Sequence, residues 1–289
     1  MAPLLTTSIM NKLANYRIVS RKRQANGRRG THASQRFGSS LDFSDFRAYE
    51  PGDDVRQIDW NVYARTDKLF IKRFLDEQEM RVHIVLDTTP SMNDGDKWLH
   101  AQQITALFGQ LVLTHDDSLS FSAKQPERLQ SFRKKGAMYR HVFQKKVEEL
   151  QVTQAEEPFF SSLAAQIPKD ANSVFIITDG LEALSEFEKT CQHLARRPKD
   201  IRFILVSSQE EQEPDYFGDY LLVDKESSES LNVTVTNAMI QRYETTRKNH
   251  FEQLEKLAAR YGHSLVFVPS QPDFLTAALH QFVRFQWIR

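Results

Sequence analysis

The sequence predicts an α/β fold, a doubly wound and mostly parallel sheet wrapped by helices, and three observations carry that prediction. Arg81-Val82-His83-Ile84-Val85-Leu86 and Ser173-Val174-Phe175-Ile176-Ile177-Thr178 are short runs with little polar interruption. Strands of that kind are covered on both faces, the condition of a parallel sheet between helical layers. Segments of helical period alternate with such runs, as crossover connections require. Each of the two runs closes on an aspartate, Asp87 and Asp179. In a parallel sheet both carboxylates fall at the same edge, where open α/β sheets bind their ligands.

The totals bound the answer. The 289 residues suffice for one large α/β domain with an appendage, or for two small domains, and an apolar content of 40% supports a substantial core. Lys plus Arg and Asp plus Glu are balanced at 38 each, so no global charge argues for nucleic acid or a membrane surface. The single cysteine, Cys191, excludes an intramolecular disulfide and a cysteine-based zinc site, and fits a reducing cytoplasm. No run approaches the roughly eighteen apolar residues of a spanning helix. The start, Met1 to Leu13, lacks the charged region, long apolar core and cleavage site of a secretory signal. The expectation is a soluble cytoplasmic protein without a transmembrane segment, with peripheral membrane association left open.

Two segments are expected along the chain, an amino-terminal extension over 1–77 and the α/β domain over 78–289. The first forty-one residues carry eight bases and no acid, and six acids follow from Asp42 to Asp59. Opposite charges so close in sequence neutralise each other, and no interleaved aromatic pattern supports nucleic acid. Glu50-Pro51-Gly52-Asp53-Asp54 reads as a turn in which Pro51 presets one dihedral and Gly52 supplies a positive φ. Arg47, Arg56 and Arg65 alternate through the acidic stretch with Trp60 and Tyr63. The pattern suits either a structural clasp fastening the extension to the sheet or a partner surface. Leu69 to Phe74 reads as an edge strand carrying Lys72 and Arg73.

Beyond the first buried strand, Asn93-Asp94-Gly95-Asp96 is loop chemistry without the ligand spacing of an EF-hand. Trp98 to Leu113 has a helical period that packs one face on the sheet. Short strands follow at Asp117 to Ala123 and Arg128 to Phe132, then a helix from Tyr139 to Leu150 and another from Leu163. After Asp179 come a helix from Leu184 to Arg197, a buried strand from Ile201 to Val206, and a polar acidic loop from Gln209 to Pro214. A pair of β segments, Tyr216 to Val223 and Leu231 to Val235, brackets a polar excursion that suggests no chemistry. A long helix from Ala238 stops at Gly262, and Ser264 to Val268 and Phe274 to Phe285 give the last strand and helix.

Asp87, Thr89 and Ser91 occupy alternate positions with Pro90 between the hydroxyls. Three oxygens converging at one point suit a Mg²⁺-like ion, which keeps several waters and takes few protein ligands. A plainer role for an aspartate after a strand is to cap the next helix. Two such aspartates, one inside an acid-hydroxyl-hydroxyl run, favour a shared metal site. No Gly-rich phosphate loop follows a strand, which argues against a Rossmann or P-loop nucleotide site.

Asp87-x-Thr89-x-Ser91-Met92 with the later Thr178-Asp179-Gly180 resembles the metal-ion-dependent adhesion site of von Willebrand factor A-type domains. The stretch from Phe43 to Trp60, with Arg47, Tyr49, Gly52, Asp53, Arg56, Asp59 and Trp60, followed by Ala64-Arg65 and Ile71-Lys72-Arg73-Phe74, is similar to the signature of the bacterial domain of unknown function 58 family. The resemblance implies a von Willebrand factor A-like domain with a signature segment of obscure role. It further implies a Mg²⁺ site, with Mn²⁺ or Ca²⁺ as substitutes, held by Asp87, Thr89, Ser91, Asp179 and Ser161, which aligns with a loop threonine of such domains. Phe159 and Phe160 stand where those domains carry glycines, and serine replaces the threonine. The implied partner is a MoxR-type AAA+ ATPase, with a client protein, in chaperone-like maturation or metal insertion.

The expected function is therefore a non-enzymatic, metal-dependent protein-binding adaptor, in which a partner's carboxylate completes the ion's shell. Two alternatives remain open. One is a Mg²⁺-dependent phosphotransferase or phosphohydrolase with Asp87 as nucleophile, although Thr89 stands where dehalogenase-type phosphatases carry a second aspartate. The other is a scaffold with a degenerate metal site.

Overall fold

The computed structural model describes residues 3–19, 43–74, 80–125, 129–153, 157–196, 199–225 and 229–289. The chain divides into two compact units, Gly27–Glu79 and the remainder. The expected boundary after residue 77 lies two residues short of the smaller unit's end, but the first residues of the chain belong with the sheet rather than with the signature segment. The reason is burial. Helix α1 (Thr7–Leu13), capped by the Thr6 hydroxyl on the Ile9 amide, buries Ile9 and Leu13, and Leu4, Leu5 and Ile18 join the same core. Arg17 and Arg289 exchange backbone hydrogen bonds of 2.8 and 3.0 Å, so the two ends of the chain pair. Of the eight bases among the first forty-one residues, Lys12 and Arg17 lie within the described residues.

In the smaller unit, β1 (Phe43–Ala48) pairs antiparallel with β2 (Phe70–Phe74). Between them the expected turn forms: Gly52 has φ +109°, Arg47 reaches Asp53 at 2.6 Å and Glu50 at 3.4 Å, and the Asp53 carboxylate accepts the Glu50 amide. Asp59 caps α2 (Trp60–Thr66) through the Asn61 and Val62 amides. The Tyr49 amide donates to the Leu69 carbonyl, and Arg65 Nε donates to the Asn61 carbonyl. Arg56 lies exposed beside Asp54 at 3.9 Å. Trp60 and Tyr63 meet edge to face yet stay exposed, so the expected packed rings are a surface pair.

The larger unit is built on a six-stranded sheet. Along the chain, β3 (Arg81–Leu86), β4 (Ser118–Lys124), β5 (Leu129–Lys135), β6 (Ser173–Thr178), β7 (Asp200–Val206) and β10 (Ser264–Val268) take the order β10-β7-β6-β3-β4-β5. Every pairing is parallel except β4 with β5. The sheet is the doubly wound, mostly parallel one expected. After β3 the chain builds outward through β4 and β5, then returns to place β6 on the other side of β3. The sheet's switch point therefore lies between β3 and β6, where a crevice opens at the strands' carboxyl ends.

Alternation along the strands assigns the two faces. Ile84, Leu86, Phe175 and Ile177 pack into one core with α3 (Lys97–Thr114) and α9 (Phe274–Arg284). Val85, Val174 and Ile176 pack into the other with α5 (Phe159–Gln166), α6 (Leu184–Ala195) and the carboxyl half of α8 (Asn237–Arg260). Helix α3 departs from the expectation of one packed face. It is buried on nearly all sides because α1, α4 (Arg140–Glu148) and α9 all pack on it. The segment expected as a polar loop contains a helical turn, α7 (Gln209–Gln212), opened by a capping box between Ser208 and Glu211. The expected β pair after it forms as β8 (Gly218–Val223) with β9 (Ser230–Val235), a separate antiparallel hairpin.

Candidate functional site

Strand register brings the two aspartates to one rim. Leu86 pairs with Ile177, and the Asp87 amide continues the ladder to the Ile177 carbonyl at 2.9 Å. Thr178, the last residue of β6, donates its hydroxyl to Asp87 Oδ2 at 2.6 Å. On the other oxygen, Asp87 Oδ1 accepts the Thr89 amide at 2.9 Å and the Thr89 hydroxyl at 2.8 Å. Thr89 Oγ1 and Ser91 Oγ lie 3.1 Å apart. Pro90 opens a 3-10 turn, Pro90–Met92, that folds Ser91 back toward Thr89 while Met92 anchors in the core. Asp87, Thr89 and Ser91 thus form a cluster of one carboxylate and two hydroxyls, with Ser91 half-exposed at its mouth.

The electrostatics of the rim are those of crowded acids. Burial and the neighbouring Asp179 charge push the Asp87 carboxyl well above the ordinary carboxylate range, against the hydrogen bonds from Thr178 and Thr89 that favour its ionised form. Asp179 sits just past β6, where Gly180 at φ +72° turns the chain away. Its Oδ1 accepts the Leu181 amide at 3.2 Å, and its Oδ2 accepts from the Lys97 ammonium at 3.1 Å. Lys97 is wholly buried and also reaches Glu211 at 2.6 Å. Burial alone would lower its pKa, but the Asp179 and Glu211 carboxylates outweigh burial and hold it above the ordinary lysine value.

Lys97 is the rim residue that sequence reasoning missed. It opens α3 directly after the loop acids, one residue before the expected helix start at Trp98. Nothing local signals it, because its two partners come from residues 82 and 114 positions away.

Ser161 lies in a helix rather than in the expected loop. The expected loop before a helix at Leu163 is already helical from Phe159, because the Glu182 carboxylate receives the Phe159 and Phe160 amides, the latter at 3.0 Å, and both rings are buried. Within that first turn the Ser161 hydroxyl donates to the Pro158 carbonyl at 2.8 Å rather than to Asp87, Thr89 or Ser91.

The donor set decides what the rim can hold. Among the described residues no group of three or more His, Cys, Asp or Glu side chains gathers as metal ligands, so an ion here depends on hydroxyls. Asp87, Thr89 and Ser91 fit a hard divalent cation with open positions. Asp179 fits less directly, since its Oδ2 already faces a cation, the Lys97 ammonium at 3.1 Å. A cavity of about 340 Å³ opens beside the rim, lined by Ser91, Asp94, Leu181, Glu182, Val223 and Lys225 among others.

A doubly wound sheet with an acid-hydroxyl-hydroxyl run at its switch point defines an α/β protein of the von Willebrand factor A type. Residues 45–253 match the family described as Protein of unknown function DUF58, and the chain belongs to that family. It is similar to uncharacterized proteins of Mycobacterium tuberculosis and Mycobacterium bovis, 33% identical over 66 residues, 23% of this chain and 21% of each relative. The match thus spans about a fifth of the length of those relatives. Among solved structures it is similar to the conserved hypothetical protein BatB from Bacteroides thetaiotaomicron, with 10% identity, a TM-score of 0.43, and coverage of 71% of this chain and 98% of that one. It is also similar to the SpRpn10 VWA domain, with 10% identity, a TM-score of 0.40, and coverage of 71% and 95%. No helix of the described residues is long and apolar enough to cross a membrane.

Proposed function

We propose that this chain is a cytoplasmic, non-enzymatic adaptor that binds another protein through its sheet rim in a Mg²⁺-dependent way. A MoxR-type AAA+ ATPase is its partner, in chaperone-like maturation or metal insertion of a client. The observation that carries the reading is the cluster of Asp87, Thr89 and Ser91 oxygens at the switch point, with the Thr89 hydroxyl 2.8 Å from Asp87 and 3.1 Å from Ser91. Asp87, Thr89 and Ser91 would hold the ion, which supplies an electrophilic position for a carboxylate from outside. Binding is favoured over catalysis because Thr89 stands where a dehalogenase-type phosphatase carries its second aspartate, so an Asp87 nucleophile would lack that neighbouring acid. The partner and pathway rest on family resemblance alone. The buried Lys97 ammonium on Asp179 favours a second reading, a scaffold whose rim no longer takes an ion.

One experiment separates the readings. The full-length chain is assayed for capture of a MoxR-type ATPase with Mg²⁺ and with EDTA, beside hydrolysis of p-nitrophenyl phosphate. Expected are capture in Mg²⁺, release by EDTA, at least tenfold weaker capture by Ser91→Ala, and no hydrolysis. Capture indifferent to EDTA and to Ser91→Ala would move the assignment to the scaffold. Hydrolysis abolished by Asp87→Asn would move it to an enzyme.

A further inference from the structure

The hairpin β8–β9 has no place in the sheet and leaves its apolar face open. In its register Tyr220 faces Val233 and Leu222 faces Leu231, so Tyr220, Leu222, Leu231, Val233 and Val235 share one face by the period of two. A two-stranded ribbon in water ordinarily buries such a face. Here every residue of β8 is exposed, with Leu222 at 50% and Leu231 at 66%. Between this face and the amino-terminal turns of α8 lies a groove of about 470 Å³. Its walls include Tyr216, Tyr220, Leu222, Val233, Met239 and Tyr243. Such aromatic and methionine-bearing walls are typical of docking surfaces.

Acids outnumber bases around the groove. Asp94, Glu210 and Glu211 line it, and from Ser207 to Val235 the sequence holds eight acids and a single base, Lys225. That base pairs with Asp94 at 2.6 Å and donates to the Asn93 carbonyl, and Glu211 is paired with Lys97 at 2.6 Å, so Glu210 and the other acids of the segment set the sign. On α8, Arg247 is turned to the Ser207 hydroxyl and stacked near Phe251 and Phe267. The groove is also continuous with the rim site, because Asp94 and Glu211 line both this groove and the cavity that holds Ser91.

We infer that the groove between the β8–β9 hairpin and α8 is a second docking surface, independent of the ion, for a basic amphipathic helix of a partner protein. The apolar side of such a helix fills the groove at its i, i+3, i+4 and i+7 positions, and its lysines or arginines meet the acidic rim. An anionic lipid surface is disfavoured by the same acids. Acidic segments flanking the groove also speed encounter with a cationic partner.

The test uses the full-length chain and two fluorescent 18-residue helical peptides with leucine at i, i+3, i+4 and i+7, one with lysine and one with glutamate elsewhere. Measured by polarisation at physiological salt, the lysine peptide is expected to bind saturably and the glutamate peptide not at all. The exposed positions Leu222 and Met239 serve as probes of the groove. Leu222→Asp with Met239→Asp is expected to weaken the lysine peptide at least tenfold although the variant is more negative, which charge attraction alone cannot produce. Equal or tighter binding by that variant, or binding of the glutamate peptide, overturns the assignment. So does a concentration-dependent dimer that Leu222→Asp dissolves in sedimentation, since the occupant would then be a second copy. Ser91→Ala and EDTA are expected to leave peptide binding unchanged. Loss of binding under either would overturn the independence of the two surfaces, whereas failure of ATPase capture alone leaves this one standing.

Discussion

At the residue scale the rim is governed by a lysine that belongs to no motif. Asp87-x-Thr89-x-Ser91 was legible because its three oxygens lie close in sequence, and the strand pattern alone placed Asp179 beside them. The charge balance of the site was not legible. Two buried aspartates at neighbouring strand ends repel each other, and burial first and that repulsion second raise the pKa of Asp87. The Lys97 ammonium answers it from the first turn of α3, between Asp179 and Glu211. Breaking a buried pair by removing one partner costs about 3–5 kcal/mol, because the other charge stays buried and unpaired. Lys97→Met should therefore lower the urea unfolding free energy by about that amount. Adding Asp179→Asn should recover part of the loss, since it removes the stranded charge. A double variant as unstable as the sum of the single ones would mean that Lys97 acts through packing rather than through charge.

At the element scale, legibility followed how much of an element's signal is local. The strands β3, β6 and β7 were readable because burial on both faces writes itself as an apolar run with little interruption, His83 and Arg202 being the exceptions. The amino-terminal helix was missed because seven residues give barely two turns of period. Its burial depends on a core assembled from the far end of the chain, with Ile18 bridging to Ile288. Helix α5 begins earlier than expected because its cap, Glu182, comes from beyond β6 and turns the expected Ser161 loop into a first turn. Helix α7 was hidden among acids, although Ser208 and Glu211 have capping-box spacing.

The pairing of β3 with β4 adds a pH-dependent consequence. His83 is buried, and its two ring nitrogens lie 2.8 and 3.0 Å from the Ser120 and Ser122 hydroxyls across the pair. Burial, aided by the Lys199 charge, lowers its pKa from 6.5 to about 3. The unfolded chain then binds a proton below pH 6.5 that the folded chain refuses. The contribution of neutral His83 is therefore complete above pH 6.5 and declines as pH falls toward 3. From the linkage relation, wild type should lose about 2 kcal/mol between pH 6.5 and 5 relative to His83→Gln, which keeps a hydrogen-bonding side chain without the titration. Denaturation curves of the two proteins at both pH values measure the difference, and parallel losses would show that His83 is protonated in the fold.

At the scale of the whole molecule, zero net charge conceals segregation, and a large core coexists with an element that buries almost nothing. The parallel strands lie between two hydrophobic layers whose members are nearly all inaccessible. The β8–β9 hairpin and the amino-terminal half of α8 hold no residue buried to that degree. They are fastened by polar links, Lys225 to Asp94 and Tyr243 to the Glu211 carbonyl at 2.9 Å. Local opening free energies follow buried apolar contact, so cooperative core strands exchange their amides only on global unfolding while such peripheral pairs open alone. Hydrogen exchange read by mass spectrometry should therefore find peptides from 218–235 exchanging orders of magnitude faster than those from 81–86 and 173–178. The lysine peptide should slow the hairpin selectively, because filling the groove supplies the apolar contact it lacks. Hairpin amides protected as well as β3 in the free chain would mean that this ribbon already belongs to the cooperative core, and the open groove would then need another explanation than a waiting partner.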